Sequence, residues 1–368
     1  MGIRVLLGCY EVPGYGGANT ASYKLFEIMQ SDGLNVSYIN LINEKEADYF
    51  RYAFGENCGN PKCLDNVYNC VLKGPLFHPH PELADLIDKL SPDILLGIDY
   101  LGALLIKRAA PKKRSIFFTA GCEQVRHYAI LGKDAIGLGE FIAQTKGVPI
   151  LLHRFEKETV EISDFILTHS DMIKVFYQYF FPSQNGKIYS DVMWFAEWIY
   201  KDALDYSGLQ KPFFEREIDI ISIASYWCRP EKNYKLIKKI VSQLRDLNIH
   251  IVGESEKKLP DAKHHGLITK REDMFKLLGN TKTIVCPSLF DAAPGILFEA
   301  SAMGCNIVAS KNCGNWQICN EKLLVDPFNL NNFLEKITVS LTEKFSDNID
   351  YFLKTESYKN LIGTILVL

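Results

Sequence analysis

Apolar and polar positions along the chain alternate between two periods. Short runs rich in β-branched and aromatic residues recur at IRVLLGC (3–9), NVSYIN (35–40), DILLGI (93–98), RSIFFTA (114–120) and DFILTHS (164–170). Each has the length and composition of a buried strand. Helix-period segments lie between them, and the first sets Ala18, Ala21, Leu25 and Ile28 on one face, the stripe of an amphipathic helix. Strands alternating with helices predict parallel sheets covered on both faces. Residues 44–80, rich in Asn, Gly, Pro and aromatic side chains, depart from the pattern and read as an irregular insertion, such as a lid or an acceptor-side loop.

After Tyr200 the chain turns polar through KDALDYSGLQKPFFERE, with Gly208 and Pro212, the composition of a linker. A second alternating series follows: strands IDIISIAS (218–225), NIHIVG (248–253), KTIVCPS (282–288) and NIVAS (306–310), separated by helices KLIKKIVSQL, MFKLLG and GILFEASAM. The expected fold is α/β, with two Rossmann-like domains facing a deep cleft. The first spans 1–205, the second 206–345, and a last segment, 346–368, is expected to pack back on the first. In such sheets ligands bind beyond the carboxyl ends of the strands, so the residues just after each strand are the ones that matter.

Composition narrows the classes. Of 368 residues, 47% are hydrophobic and 23% charged, the balance of a globular chain rather than a disordered or fibrous one. Lys plus Arg number 41 against 44 Asp plus Glu, a net charge of −3, which is no footprint for nucleic acid. The longest apolar stretch, Ile94 to Ile106, is broken by Asp99 and falls short of the ~20 residues a spanning helix needs. A cytoplasmic protein is expected, with peripheral membrane contact left open. Ten cysteines in so long a chain are no disulfide framework. Cys9, Cys122, Cys228 and Cys286 lie in or beside apolar runs, as small buried hydrophobes do. Cys58, Cys63 and Cys70 lack the paired spacing of a zinc site, and the prolines around His78 and His80 suggest an exposed extended loop. No metal site is expected.

Three stretches carry candidate chemistry. GYGGANTAS (14–22) puts glycines before a helix start, where Gly16 and Gly17 allow close backbone approach to an anion, or simply a tight turn. SYWCRPEKN (225–233) brings Arg229 and Lys232 just past a strand; the first could clamp a diphosphate and the second supply a point charge, unless both are a solvated helix start. CPSLFDAAPGILFEASAMG (286–304) holds Asp291 and Glu299. Glu299 stands between Phe298 and Ala300, where an ionised carboxylate needs a partner; a ligand hydroxyl would serve, as would the dipole of a helix start. Gly295 and Ile296 would offer backbone N–H groups there, whereas Pro294 has none to give.

The ordered set DAAPGILFEASAMG, RPEKN, VGE (252–254), the glycine turn at Gly16 and Gly17, and ETVEISDFILTHS (158–170) resembles the GT-B glycosyltransferases, and in particular the retaining family 4, or group 1, type. The resemblance covers most of the chain. It implies that Glu299 binds the ribose hydroxyls of a nucleotide-sugar donor and that Asp291 contacts the donor sugar. Lys232, with Arg229 beside it, would neutralise the leaving diphosphate. The Gly16–Gly17 turn, through the Gly17 backbone, would complete the phosphate site with the Gly295 and Ile296 amides that follow Pro294, and Gly253 would line the nucleotide pocket.

The chain also departs from the family. Asp291 is a methylene shorter than the usual Glu. Trp227 stands where the family's Arg is expected, so Arg229 would act from two residues later. The family's acceptor-side histidine is replaced by Ala120 or Gly121; His127 is the substitute on offer, against an ordinary surface or structural histidine. Asn19 is a further acceptor-side candidate.

The implied reaction moves a sugar from a UDP-, GDP- or ADP-linked donor to a glycan, lipid-linked or small-molecule hydroxyl, with retention and without cofactor or metal. Two other classes fit the same residues. A sugar-nucleotide epimerase would need cleft acid/base groups that are not identifiable here. A catalytically degenerate nucleotide-sugar-binding protein is suggested by Asp291 and Trp227.

Overall fold

The computed structural model describes residues 2–10, 17–45, 66–119, 121–132, 135, 138–145, 154–190, 193–354 and 357–367. The chain divides into two compact units. One comprises Met1–Cys122, Leu152–Asp191 and Lys359–Leu368; the other comprises Glu123–Leu151 and Val192–Tyr358.

The first unit is built on β1 (Arg4–Tyr10), β2 (Asn35–Asn43), β3 (Val67–Leu72), β4 (Ile94–Ile98), β5 (Arg114–Thr119), β6 (Phe165–Thr168) and β7 (Ile188–Ser190). All pair in parallel, in the order β3-β2-β1-β4-β5-β6-β7. Every residue of β4 is buried, as expected of a strand covered on both faces. Its Gly97 is there for contact: a Cβ would stand 2.1 Å from Cα of Ala103, so the helix Asp99–Ala109 lies directly on the strand. Leu6, Ile39, Leu41, Leu95, Leu105 and Ile106 form part of its core.

Part of the stretch expected to be irregular is regular. Residues 67–72 form the edge strand β3, whose half-buried pattern has none of the continuous apolar character that marks the inner strands. Residues 46–65 lie outside the described set. His80 is not on an exposed loop; it is buried at 6% exposure. It precedes the helix Pro81–Leu90, with Nε2 2.9 Å from the carbonyl of Leu76. His78 is exposed as expected. Cys228 is exposed rather than buried, because it sits in the loop beyond Trp227 and not in the strand.

The second unit carries β8 (Ile218–Tyr226), β9 (Ile249–Glu254), β10 (Lys263–His264), β11 (Thr281–Cys286), β12 (Asn306–Ser310) and β13 (Leu324–Val325). They too are all parallel, in the order β10-β9-β8-β11-β12-β13. Both units are therefore Rossmann-like sheets, with strand order reversing between β1 and β4 in one and between β8 and β11 in the other. Ile220, Leu236, Ile240, Ile251, Val285 and Phe333 pack in the second core. Arg216, inside the polar stretch that reads as a linker, is buried at 5% exposure. Its guanidinium donates to the carbonyls of Lys211, Thr281, Met303 and Gly304 at 2.7–3.0 Å. It thereby holds the C-terminal end of the helix Ile296–Ala302, where cations are favoured. Among the described residues no helix is long and apolar enough to cross a membrane.

One buried group makes stability depend on pH. His250 of β9 is buried, with Nδ1 3.1 Å from Nε2 of His265. Burial, then the charges of His265 and Lys263, lower its pKa to about 4. In the unfolded chain an imidazole titrates near ~6.5, so as pH falls the unfolded state takes the proton first. The stabilisation is complete above that pH and lost as pH falls toward about 4, in all on the order of 3 kcal/mol. Urea midpoints measured at neutral pH and near ~4.5 should fall less in His250→Gln than in wild type; equal losses would place the acid sensitivity elsewhere.

Candidate functional site

β8 and β11 are adjacent at the strand-order reversal, so the loops after these two strands start side by side. After β8 the chain turns at Trp227, which is buried at 4% exposure. Its indole N–H donates to Val252 O at 3.0 Å and its main-chain N–H to Glu254 O at 2.8 Å. This tryptophan is therefore a structural tie between β8 and β9. A single 3₁₀ turn, Pro230–Lys232, follows. Asn233 then takes a left-handed conformation, φ 57°, and its side-chain amide donates to Pro287 O at 3.0 Å and Pro327 O at 3.2 Å. Leu289 N–H donates to Glu231 O at 2.8 Å. The loop after β8 is thus stitched to the loop after β11.

That stitching brings Lys232 to Asp291, with Nζ 2.5 Å from Oδ2. The side chains are only 18% and 13% exposed. Burial works against the ammonium, but the Asp291 carboxylate outweighs it, and the Lys232 pKa lies above the ordinary lysine value. Asp291 is itself fixed by the loop after β12: its N–H donates to Asn312 O at 3.0 Å and its carbonyl accepts from Gly314 N–H at 2.8 Å. Ser288 Oγ lies 3.5 Å from the same carboxylate oxygen. Cys286 and Cys313 stand beneath, Sγ to Sγ 3.8 Å, both buried.

Arg229 lies next to the pair in sequence but turns its guanidinium to Glu231, Nε to Oε1 2.7 Å. Glu231 is buried at 6% exposure. A second arginine, Arg126 of the helix Glu123–Leu131, approaches the same oxygen at 3.9 Å and also pairs with Glu123.

Glu299 is on the first turn of the helix Ile296–Ala302. Burial raises its pKa; Arg271, with Nη2 3.4 Å from Oε1, opposes the rise, and Asp202 adds to it. Asp202 is itself paired to Arg271. Pro294 and Gly295 open that helix, their carbonyls accepting from Leu297 and Phe298 at 3.1 and 3.0 Å. Pro294 O also accepts from Asn315 Nδ2 at 3.0 Å. Ile296, the first helical residue, is half-buried.

Gly253 has a clear packing reason. Its φ is +110° and a Cβ would fall 1.5 Å from Ala224 O, so no other residue fits where β9 lies against the irregular end of β8. Gly17 begins the helix Gly17–Ser31 of the other unit. Gly16, and the side chains of Asn19 and His127, lie outside the described residues, as do Cys58 and Cys63. Among the described residues no three His, Cys, Asp or Glu side chains converge as a metal site would require.

Arg271, Asp202, Arg126 and Ser288 went unread in the sequence. Arg271 sits in the run TKRED, which looks like any solvated helix start, and Asp202 lies in the stretch read as linker. Their pairing depends on tertiary contact across 69 residues, and no local signal carries it.

Residues 217–343 match the family described as Glycosyl transferases group 1. This stretch runs from the start of β8 past β13 and contains Lys232, Asp291 and Glu299. The chain is a glycosyltransferase. No curated protein matches it. Among solved structures, the glycosyltransferase resembles the lipopolysaccharide outer core galactosyltransferase WaaB (TM-score 0.67, 14% identity, 99% of each chain covered). It also resembles Anabaena HepE in complex with UDP and glucose (0.66, 12% identity, 100% of each covered). UDP-GlcNAc 2-epimerase from Methanocaldococcus jannaschii shares the architecture as well (0.55, 12% identity, 100% of each covered). At such identities these likenesses speak for the fold. The glycosyltransferase thus has the GT-B architecture.

The pairing of Lys232 with Asp291 makes a testable energetic statement. Removing one partner leaves the other's charge partly buried and alone, which costs about 3 kcal/mol, whereas removing both costs much less. Urea midpoints should therefore fall for Asp291→Leu and for Lys232→Met and recover in the double variant. Additive losses would mean that the two side chains do not depend on each other.

Proposed function

We propose that this glycosyltransferase moves a sugar from a nucleoside-diphosphate sugar to a hydroxyl of a glycan, lipid-linked or small-molecule acceptor. Transfer proceeds with retention at the anomeric carbon, as in family 4, and without a metal ion. The observation that carries this reading is the convergence of Lys232 and Asp291 at the strand-order reversal of the group 1 domain, where ligands bind in sheets of this kind. Glu299 follows on the next helix, and in this reading it takes the ribose hydroxyls.

In this reading the bond between the anomeric carbon and the diphosphate oxygen breaks first. Negative charge grows on the leaving phosphate, and Lys232, supported by Arg229 and the N–H groups at Gly295 and Ile296, stabilises it electrostatically. The acceptor oxygen then bonds to the anomeric carbon from the same face, and its proton passes to the phosphate. Asp291 orients the donor sugar while holding Lys232, and Gly253 lets β9 lie close against β8 beside the nucleotide. The complex of HepE with UDP and glucose makes UDP-linked glucose the first donor to try, with GDP- and ADP-linked sugars after it. A cytoplasmic location belongs to the same reading.

A degenerate binding protein is the second reading, favoured by one observation. Trp227, at the place expected for a cation, is buried as a structural tie, and Arg229 is engaged by Glu231.

Proton NMR of the chain incubated with each donor, with and without simple sugar acceptors, tests these readings. Donor consumption with the donor's anomeric configuration kept in the first product is the expected result. Lys232→Ala should lower the rate by about 10²–10³. An inverted anomer would contradict retention. An epimerised nucleotide sugar would identify an epimerase, and nucleotide binding without turnover would leave the degenerate reading.

A further inference from the structure

Glu299 stands where a carboxylate is hard to keep ionised. Its helix neighbours Leu297, Phe298, Ala300 and Ala302 are buried, and burial favours the protonated form. A protonated Glu299 would lose the charge-assisted acceptance that lets one carboxylate hold two hydroxyls. Arg271 is built in against that outcome. Its guanidinium lies between two carboxylates, Asp202 on one side and Glu299 on the other. It also lies over the Phe275 ring, 5.0 Å from the centroid, and that ring stacks on Tyr206. The arginine is thus anchored from outside the pair, by Asp202 of the helix Phe195–Leu204 and by the aromatic face beneath it.

The distances divide the labour. Asp202 takes the close contact, while Glu299 Oε1 remains 3.4 Å away. That separation supplies field and direction without a tight hydrogen bond, so the carboxylate oxygens stay available to a ligand. Among the described residues, Arg271 and Asp202 are the charged groups that act on Glu299. Asp347, on the chain before the helix Asp350–Leu353, is turned instead to Ser301 Oγ at 2.8 Å.

We infer that Arg271, anchored by Asp202, is a positioning residue that keeps Glu299 ionised and oriented for the hydroxyl pair of the donor's ribose. This rests on the donor-site reading above. It makes Arg271 a determinant of donor affinity that acts through Glu299 rather than on the sugar nucleotide.

The test is the pH profile of nucleotide affinity in the full chain. UDP, GDP and ADP are titrated by calorimetry, and the one that binds is followed from about pH 5 to 9 in wild type, Arg271→Ala, Arg271→Lys and Glu299→Gln. The ratio of each variant to wild type removes the ligand's own titration. Protonation of Glu299 weakens binding at low pH, and without the Arg271 charge that loss should begin at higher pH, so the affinity ratio of variant to wild type falls as pH is lowered through the variant's midpoint and levels off below both midpoints, at about tenfold for each pH unit between them. Arg271→Lys should restore most of the wild-type profile. Glu299→Gln should bind more weakly than wild type at neutral pH and above, without that midpoint, the difference closing as pH falls, and adding Arg271→Ala to it should change little. If the alanine variant does not fold, Arg271→Gln takes its place.

An unchanged midpoint in the arginine variant, even with weaker binding throughout, would overturn the inference and leave the donor-site reading intact. Failure of all three nucleotides to bind wild type, or affinity untouched by Glu299→Gln, would overturn the donor-site reading and this inference with it.

Discussion

The Lys232–Asp291 pair is the interaction on which the candidate site of the second unit turns. An ammonium taken largely out of water needs an opposite charge at contact distance, and the fold supplies it by drawing three loops to one place. The loop after β8 brings Lys232, the loop after β11 brings Asp291, and the loop after β12 grips the Asp291 main chain from both sides. Parallel strands wound outward from a central pair leave their carboxyl-end loops diverging there, so the ion pair and the Asn233 and Leu289 hydrogen bonds do the closing. The helix that carries Glu299 follows directly from the same loop, and buried Arg216 holds its far end.

The departures from the motif pattern that the sequence resembles acquire a physical sense in this frame. A carboxylate one methylene shorter than the usual Glu reaches Lys232 and stays on it. In the proposed reaction a diphosphate approaching Lys232 would compete with a neighbour already in place, and the donor sugar would meet a carboxylate whose orientation is set by that lysine. Trp227 supplies no charge, but it locks β8 to β9 beside the loop in which Lys232 sits. Cationic charge gathers instead around Glu231, where Arg229 and Arg126 share one buried carboxylate.

Much of this was legible in the sequence. The inner strands announce themselves because strands buried on both faces are apolar throughout, and DILLGI, IDIISIAS and KTIVCPS became β4, β8 and β11 with boundaries shifted by a residue or two. Lys232, Asp291 and Glu299 were legible because each follows such a strand closely and because Glu299 is an anomaly in an apolar helix. The edge strand β3 was not, since an edge is half-wet and its Asn and Tyr residues dilute the pattern. His80 was misjudged because prolines that suggest an open loop also start helices well. Arg271 with Asp202, and Arg216 within an apparent linker, were beyond reach, because each is defined by a partner far away in the chain.

The most direct measurement is the shift in melting temperature of the full chain with UDP, GDP and ADP and their sugar conjugates, with Lys232→Ala and Glu299→Ala in parallel. A ligand at a hundred times its dissociation constant stabilises by ~2.7 kcal/mol, a shift of several degrees at most sizes. The expected result is a clear shift from one nucleotide series that both variants lose. A shift that survives in both variants, or none from any of the three series, would contradict a donor site built on Lys232, Asp291 and Glu299.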